Sequence, residues 1–363
     1  MATISLPSFA DPHVHLREPG SELKEDFYTG TCAALAGGYT AVLDMPNNSP
    51  PTTSATALTA KKRLAASKIV CDVGFNFGAT PDNAAEYASV APYVAGLKLY
   101  LGQTHGPLVM DGLPNMLKAF QNWPSSPSFQ AKPLLIHAEG PIMAATIGLA
   151  ALYDRKIHIC HLSKRSELDI VRAAKTRGLK VTCEVAPHHL FLTSDATTQL
   201  GAYAKMSPAL QTQDDVDALW QGLADGAVDM LATDHAPHTR AEKDSDQPPF
   251  GVPGLETTFG LMYREVRAAR AGLTLERLIA LLADGPRRIF GLPSNEGEIE
   301  VDSAAEYSFS NQELFTKCGW TPFVGMRGQG RIKKVWLRGQ LVYEDGPQGK
   351  QILAQPGSGH VLF

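Results

Sequence analysis

A chain of 363 residues, 44% hydrophobic and 19% charged, is long enough for one large single-core domain with an appendage. Its formal net charge of −4 gives no reason to expect nucleic acid or an anionic membrane as a partner. No apolar run approaches the roughly 20 residues of a membrane helix, no secretory signal pattern opens the chain, and five scattered cysteines without a C-x-x-C pair point to a reduced, cytoplasmic protein.

Short apolar, β-like runs alternate with helical segments. The first run (Ile4, Leu6, Phe9) ends at DPHVHLREPG, and residues 25–36 read as a helix closed by Gly37-Gly38. Further strands are predicted at 39–47, 70–77, 96–101, 133–139, 156–163, 180–185 and 229–233. Helices are predicted between them at 58–67, 81–90, 113–122, 142–152, 167–177 and 214–223, then at 255–270 and 275–283. Eight strands alternating with helices predict a parallel (β/α)8 TIM-type barrel, with an open doubly wound sheet as the alternative. The polar residues favour the barrel. His13, His15, Asn47, Lys98, His137, His161, Glu184 and Asp234 fall near the C-terminal ends of their strands. A barrel gathers those ends into one mouth, whereas an open sheet spreads them along a crevice. Residues 8–295 are therefore expected to form the catalytic barrel, and 1–7 with 296–363 a small β-rich appendage built from the termini.

Side chains two apart on a strand share a face, so His13 and His15 can reach one metal ion together. Imidazole and carboxylate suit zinc and similar divalent ions, and the candidate ligands are His13, His15, His137, His161 and Asp234. A single strand-end histidine such as His137 would more often be structural; five such residues at one mouth point to a metal. Lys98 lies inside the apolar strand GLKLYL. Burial disfavours a charged ammonium, and a neutral amine can take up carbon dioxide to become an anionic, bidentate carbamate ligand. Snorkelling to the surface or pairing with an acid is the plainer fate for such a lysine. Arg17 offers a planar fork for a substrate carboxylate, or else a surface salt bridge.

The stretches DPHVHLREPG, DMPN, AGLKLYL, IHAE, HICHLS, VTCEVAPHHLFLT, ATDHAPHT, PGLET, PRRIFGL and TPFVGM run through nearly the whole chain. In these the sequence resembles the dihydroorotases of the amidohydrolase superfamily, and especially the dihydroorotase domain of the multifunctional pyrimidine-synthesis protein of animals. The resemblance implies two Zn2+ ions bridged by N6-carboxylated Lys98, with His13, His15 and Asp234 on one ion and His137 and His161 on the other. It implies a metal-bridging hydroxide as nucleophile and Asp234 as the catalytic proton carrier. The implied reaction is the reversible cyclisation of N-carbamoyl-L-aspartate to L-dihydroorotate in de novo pyrimidine biosynthesis. Arg17, Asn47 and His238 match the family's carboxylate-binding residues, Thr104 its lid threonine, and Pro253-Gly254 a pocket loop contributing backbone contacts. Glu184 and Cys160 could assist a further metal, but support of the ligands or packing is the favoured reading. Either His188 or His189 could orient the site. Ser207 departs from the Asn or Arg of many dihydroorotases towards the dihydropyrimidinases. The alternative functions are therefore a dihydropyrimidinase, hydantoinase or allantoinase, or an inactive scaffold domain of a multienzyme complex. The resemblance also suggests a homodimer, a small-molecule substrate and a possible place in a larger pyrimidine-pathway assembly.

Overall fold

The computed structural model describes residues 3–102, 108–124 and 132–363. Strands β1 (Thr3–Pro7), β2 (Phe9–Val14), β3 (Tyr39–Asp44), β4 (Asp72–Phe75), β5 (Phe77–Gly78), β6 (Leu97–Tyr100) and β7 (Leu134–His137) are followed by β8 (Ile157–Ile159), β9 (Val181–Val185) and β10 (Met230–Leu231). Strands β2-β3-β4 and β10-β9-β8-β7-β6-β5 form parallel sheets, and β4 and β5 are one rung broken at Asn76. The ring closes where His15 N–H donates to the His235 carbonyl at 2.8 Å beside the Val14–His235 bridge. This is the expected barrel.

The pleat explains why these strands read as unbroken apolar runs. Val42, Leu97, Leu99, Leu134, Ile136, Ile157, Ile159 and Val185 join the outer core with the surrounding helices. Their neighbours point to the barrel axis, where Leu43, Leu135, Cys160 and Met230 pack with Phe290. Lys98, between Leu97 and Leu99, faces the axis, fully buried.

The helices at Phe27–Ala36, Ala55–Ala66, Leu113–Asn122, Gly140–Leu152, Arg165–Thr176 and Gln213–Asp225 lie close to their predicted places. Residues 81–90 differ. They form a 3-10 turn (Ala84–Glu86) and a four-residue helix (Tyr87–Val90), because Asn83 commits its side chain to the Thr80 N–H and to the Thr53 and Gly78 carbonyls. The helix expected at 255–270 spans Thr258–Arg267, and the one at 275–283 runs on through a π-helical turn into Gly285–Phe290.

Strands β11 (Gly297–Ser308), β12 (Arg327–Leu337), β13 (Gln340–Gly346) and β14 (Gly349–Ile352) complete an antiparallel sheet, with β1 at one edge. The β12–β13 hairpin turns on Arg338 and Gly339, both at positive φ, as a two-residue turn with the strands' own twist demands. The end of the chain leaves this sheet: Leu362 N–H donates to the Val73 carbonyl at 2.8 Å, and Leu362 packs with Ala10 and Ala41 under the barrel. Among the described residues no helix is long and apolar enough to cross a membrane.

Candidate active site and metal centre

The strand ends converge on a cavity of about 300 Å³ lined by His13, His15, Arg17, Asn47, Lys98, His137, His161, Asp234 and His238. His13 and His15 flank the last residue of β2, with ring centroids 5.4 Å apart. The Asp234 carboxylate lies 3.4 Å from His13 Nε2 and 3.2 Å from His15 Nε2. Across the mouth, His137 Nδ1 and His161 Nε2 are 2.8 Å apart. Lys98 Nζ donates to Cys160 Sγ at 3.0 Å, and among the described residues it makes no ion pair. Arg17, His161 and Asp234 adopt φ of 64°, 35° and 46°, left-handed backbone that only a well-determined surrounding sustains in non-glycine residues.

The electrostatics suit a cation. Burial pushes the His15 imidazolium down to about 4 and, with Lys98 adding to it, that of His137 down to about 3; burial and His137 hold His161 well below its usual range. Burial alone would raise the Asp234 carboxyl, but His13 and His15 hold it well below the carboxylate range. The site thus gathers the neutral imidazoles of His15, His137 and His161 around an ionised carboxylate, the protonation state divalent metals require. His161 Nδ1 is buried with no hydrogen-bond partner, an orphan that a metal would satisfy. The ligand atoms of His13, His15 and Asp234 lie within 4.8 Å of one another, as do those of His13, Cys160 and Glu184. The residues fit a metal centre.

Glu184 is the support beneath it. One carboxylate oxygen lies 2.5 Å from His13 Nδ1 and the other 3.0 Å from His158 Nε2. Burial would push His13 down, but Glu184 raises it to about 10. Asn47 also orients a candidate ligand: its Oδ1 lies 2.8 Å from His15 Nδ1, leaving Nε2 to face the mouth.

On the substrate side, Arg17 Nε donates to the Pro237 carbonyl at 3.0 Å, and Arg17 Nη2 lies 3.0 Å from His238 Nε2. His238 Nδ1 is 3.3 Å from Lys24 Nζ, and its Nε2 is 2.9 Å from the Phe250 carbonyl. If Nδ1 accepts from Lys24, Nε2–H donates to Phe250, and the Arg17 fork faces the cavity with donors that an anion would satisfy. Burial, Arg17 and Lys24 all keep His238 neutral.

Some expectations come out differently. Pro253 and Gly254 lie beside a separate small void behind His235, whose Nδ1 accepts from Gly254 N–H at 3.2 Å; Gly251 and Val252 line the cavity instead. The reason is the bridge from His235 to Val252, which turns the following residues away from the mouth. Thr104 lies outside the described residues. His188 and Ser207 line the cavity, while His189 Nε2 points to the Pro208 carbonyl at 3.1 Å. Lys24, Phe250 and Tyr100 are lining residues the sequence reading did not single out. Tyr100, two residues after Lys98 and so on the same strand face, could have been found by alternation.

The sequence profile of the amidohydrolase family matches residues 4–342. The chain belongs to the amidohydrolase family. It is 44% identical over 358 residues to the multifunctional protein CAD of Squalus acanthias, covering 98% of this chain but only 15% of that protein's length. To the dihydroorotase of Thermus aquaticus it is 34% identical over 378 residues, covering 93% of this chain and 88% of the relative. Among solved structures, the L-hydantoinase of Arthrobacter aurescens shares the fold of this amidohydrolase with a TM-score of 0.89 at 22% identity, covering 99% of this chain and 89% of the hydantoinase.

Proposed function

We propose that this amidohydrolase is a zinc-dependent dihydroorotase, interconverting L-dihydroorotate and N-carbamoyl-L-aspartate. The observation that carries the reading is the meeting, in one cavity, of the candidate ligand cluster with a corner made by cationic Arg17 and neutral His238. A neutral cyclic amide has no use for that corner, whereas a ring bearing a carboxylate does. The likeness to a dihydroorotase over 88% of its length supports the same substrate.

His13, His15 and Asp234 would hold one zinc ion, His137 and His161 the second, and N6-carboxylated Lys98 would bridge them. Bound there, the ions would polarise the ring amide carbonyl and lower the pKa of water. Arg17, with Asn47 and His238, orients the substrate by its carboxylate. Asp234, ionised at rest, takes a proton on an Oδ atom during hydrolysis and returns it to the departing amide nitrogen. Ring closure runs the same transfers in reverse. The match to a multifunctional relative over 15% of its length supports work within a larger pyrimidine-pathway assembly.

The test is hydrolysis of dihydroorotate against dihydrouracil, hydantoin and allantoin, with metal content by elemental analysis and mass spectrometry for a carbon-dioxide adduct on Lys98. Dihydroorotate turned over best, by a zinc-loaded protein carrying the adduct, is the expected result. Preference for a neutral ring would transfer the reading to the dihydropyrimidinase group, to which Ser207 in the cavity lining would then belong. No turnover after zinc loading would leave a scaffold domain.

A further inference from the structure

The wall of the cavity opposite the strand ends is formed by Met206, Ser207 and Pro249 through Val252. Behind it sits Lys243, on the four-residue helix Arg240–Lys243 that follows His238, and only 1% exposed. Its Nζ donates to three carbonyls, Pro249 at 2.9 Å, Ala202 at 3.1 Å and Lys205 at 3.3 Å. Among the described residues it makes no ion pair. An ammonium has three protons and no acceptor site, so three converging carbonyls match its charged form and oppose the lone pair of a neutral amine. Burying a cation without a counter-charge is costly, and the three acceptors belong to the two segments that make the wall.

The contacts lead on to the substrate corner. Gly251 N–H donates to the same Lys205 carbonyl at 3.0 Å, Lys205 Nζ donates to Pro248 O at 2.6 Å, and the Phe250 carbonyl meets His238 Nε2 at 2.9 Å. Gly251, at φ +127°, lies so close to Ala236 that a Cβ would come within 2.6 Å of its carbonyl oxygen. The wall therefore presses directly on the segment that carries Asp234 and His238.

We propose that Lys243 is a positioning residue for substrate binding, its ammonium tying residues 202–205 to 249–251 so that the Phe250 carbonyl, His238 and the Ser207 wall keep their places. The assignment of the substrate rests on the dihydroorotase reading; the tie itself does not. The charged and titratable groups facing Lys243 are Lys205 after the 201–204 turn, Arg17 after β2, His238 just before its helix, Cys318 in the segment before β12, and Glu242 on its own helix. The Trp320 ring lies 5.5 Å from its Nζ. Burial, then Lys205 and Arg17, push the ammonium down to about 7, against the opposing pull of Cys318 and Glu242.

The experiment is Lys243→Met in the full chain, read by steady-state kinetics on dihydroorotate, metal content, and hydrogen exchange of peptides covering 201–207 and 246–252. Loss of a charge-assisted cluster should raise KM about tenfold, with kcat and metal content little changed, and exchange should quicken in those two peptides. In the wild type, the protection of the Gly251 amide, corrected for intrinsic exchange, should fall between about pH 6 and about pH 9 while β6 and β7 stay protected. An unchanged KM, or kcat falling with KM fixed, overturns the positioning role. If the variant does not fold, a flat wild-type protection profile overturns it instead. A wild type inactive on dihydroorotate would refute the substrate reading alone, because the exchange measurements still decide the tie.

Discussion

Glu184→Gln separates charge from shape at the base of the candidate metal centre. Glu184 is 1% exposed and holds three partners: His13 Nδ1 at 2.5 Å, His158 Nε2 at 3.0 Å and the His161 N–H at 3.3 Å. A carboxamide can keep this geometry. Its oxygen accepts from His13 Nδ1–H, and its NH2 donates to His158 Nε2, provided that His158 Nδ1–H donates to Thr182 Oγ1, 2.9 Å away. What disappears is the negative charge that makes His13 a stronger ligand. A charge-assisted bond exceeds a neutral one by about 1–1.5 kcal/mol, and up to two such bonds are converted here. Zinc affinity should therefore fall about 10–100-fold, the range typical of partners behind metal-bound histidines. Competition against a chromophoric chelator measures this, with activity at saturating zinc as the companion reading. Activity should return when zinc is in excess, because no ligand has been removed. Zinc affinity within about threefold of the wild type would refute the argument that Glu184 acts through His13.

Arg17→Ala should cost about 2–4 kcal/mol in kcat/KM for dihydroorotate through loss of a buried charge-assisted pair, and much less for dihydrouracil; equal losses on both substrates would remove Arg17 from carboxylate binding. Asp234→Asn should abolish turnover while leaving the circular-dichroism spectrum and denaturant midpoint near those of the wild type, since Asp234 lies at the mouth and not in the apolar core; substantial activity would sink the proton-transfer role. In the metal-free protein the raised His13 pKa means that its pairing with Glu184 contributes fully below about pH 6.5 and is lost as pH rises through about 10. A metal at His13 must displace that proton, so zinc affinity should increase from pH 6.5 to 8, and a flat profile would contradict the pairing. Lys61→Met should destabilise the fold by about 3–5 kcal/mol, read as a shifted denaturant midpoint, because Asp44, 2.5 Å from Lys61 Nζ and fully buried, is left unpaired.

The barrel was legible because its alternation is written twice, once in the spacing of apolar runs and again in the polar residues at their ends. Leu97-Lys98-Leu99 shows why: the pleat sends both leucines to the helix layer and the lysine to the axis, so one charged residue in an apolar run marks the inside. What stayed hidden depends on residues distant in sequence. His13 and Glu184 are 171 positions apart, and the role of Glu184 as a bridge from His13 to His158 exists only once β2 and β9 are placed around one axis. The wall made by Phe250 and Gly251 was missed for a similar reason, since the bridge between His235 and Val252 decides which part of FGVPG faces the cavity. Residues 81–90 show the opposite failure. Their helical composition was overruled locally, by the three side-chain hydrogen bonds of Asn83.

The left-handed backbone at Arg17, His161 and Asp234 costs roughly 1–3 kcal/mol at each residue, so something must hold each one. Before Arg17, Leu16 N–H donates to Asp44 Oδ1 at 2.8 Å, and Asp44 is itself locked by Lys61. At His161 the backbone N–H is bound by Glu184, and its successor Leu162 donates to the Glu184 carbonyl at 2.9 Å. After Asp234, His235 is fixed on three sides: its carbonyl accepts from His15 N–H, its Nδ1 from Gly254 N–H, and its Nε2 lies 3.3 Å from Glu25. Each turn brings a functional side chain back over the mouth when the extended strand would have carried it past. The buried polar pairs beneath the site are thus the reason the mouth can keep its shape before substrate or metal arrives, with the apolar plug of Leu43, Leu135, Met230 and Phe290 below them supplying the stability that offsets the strain.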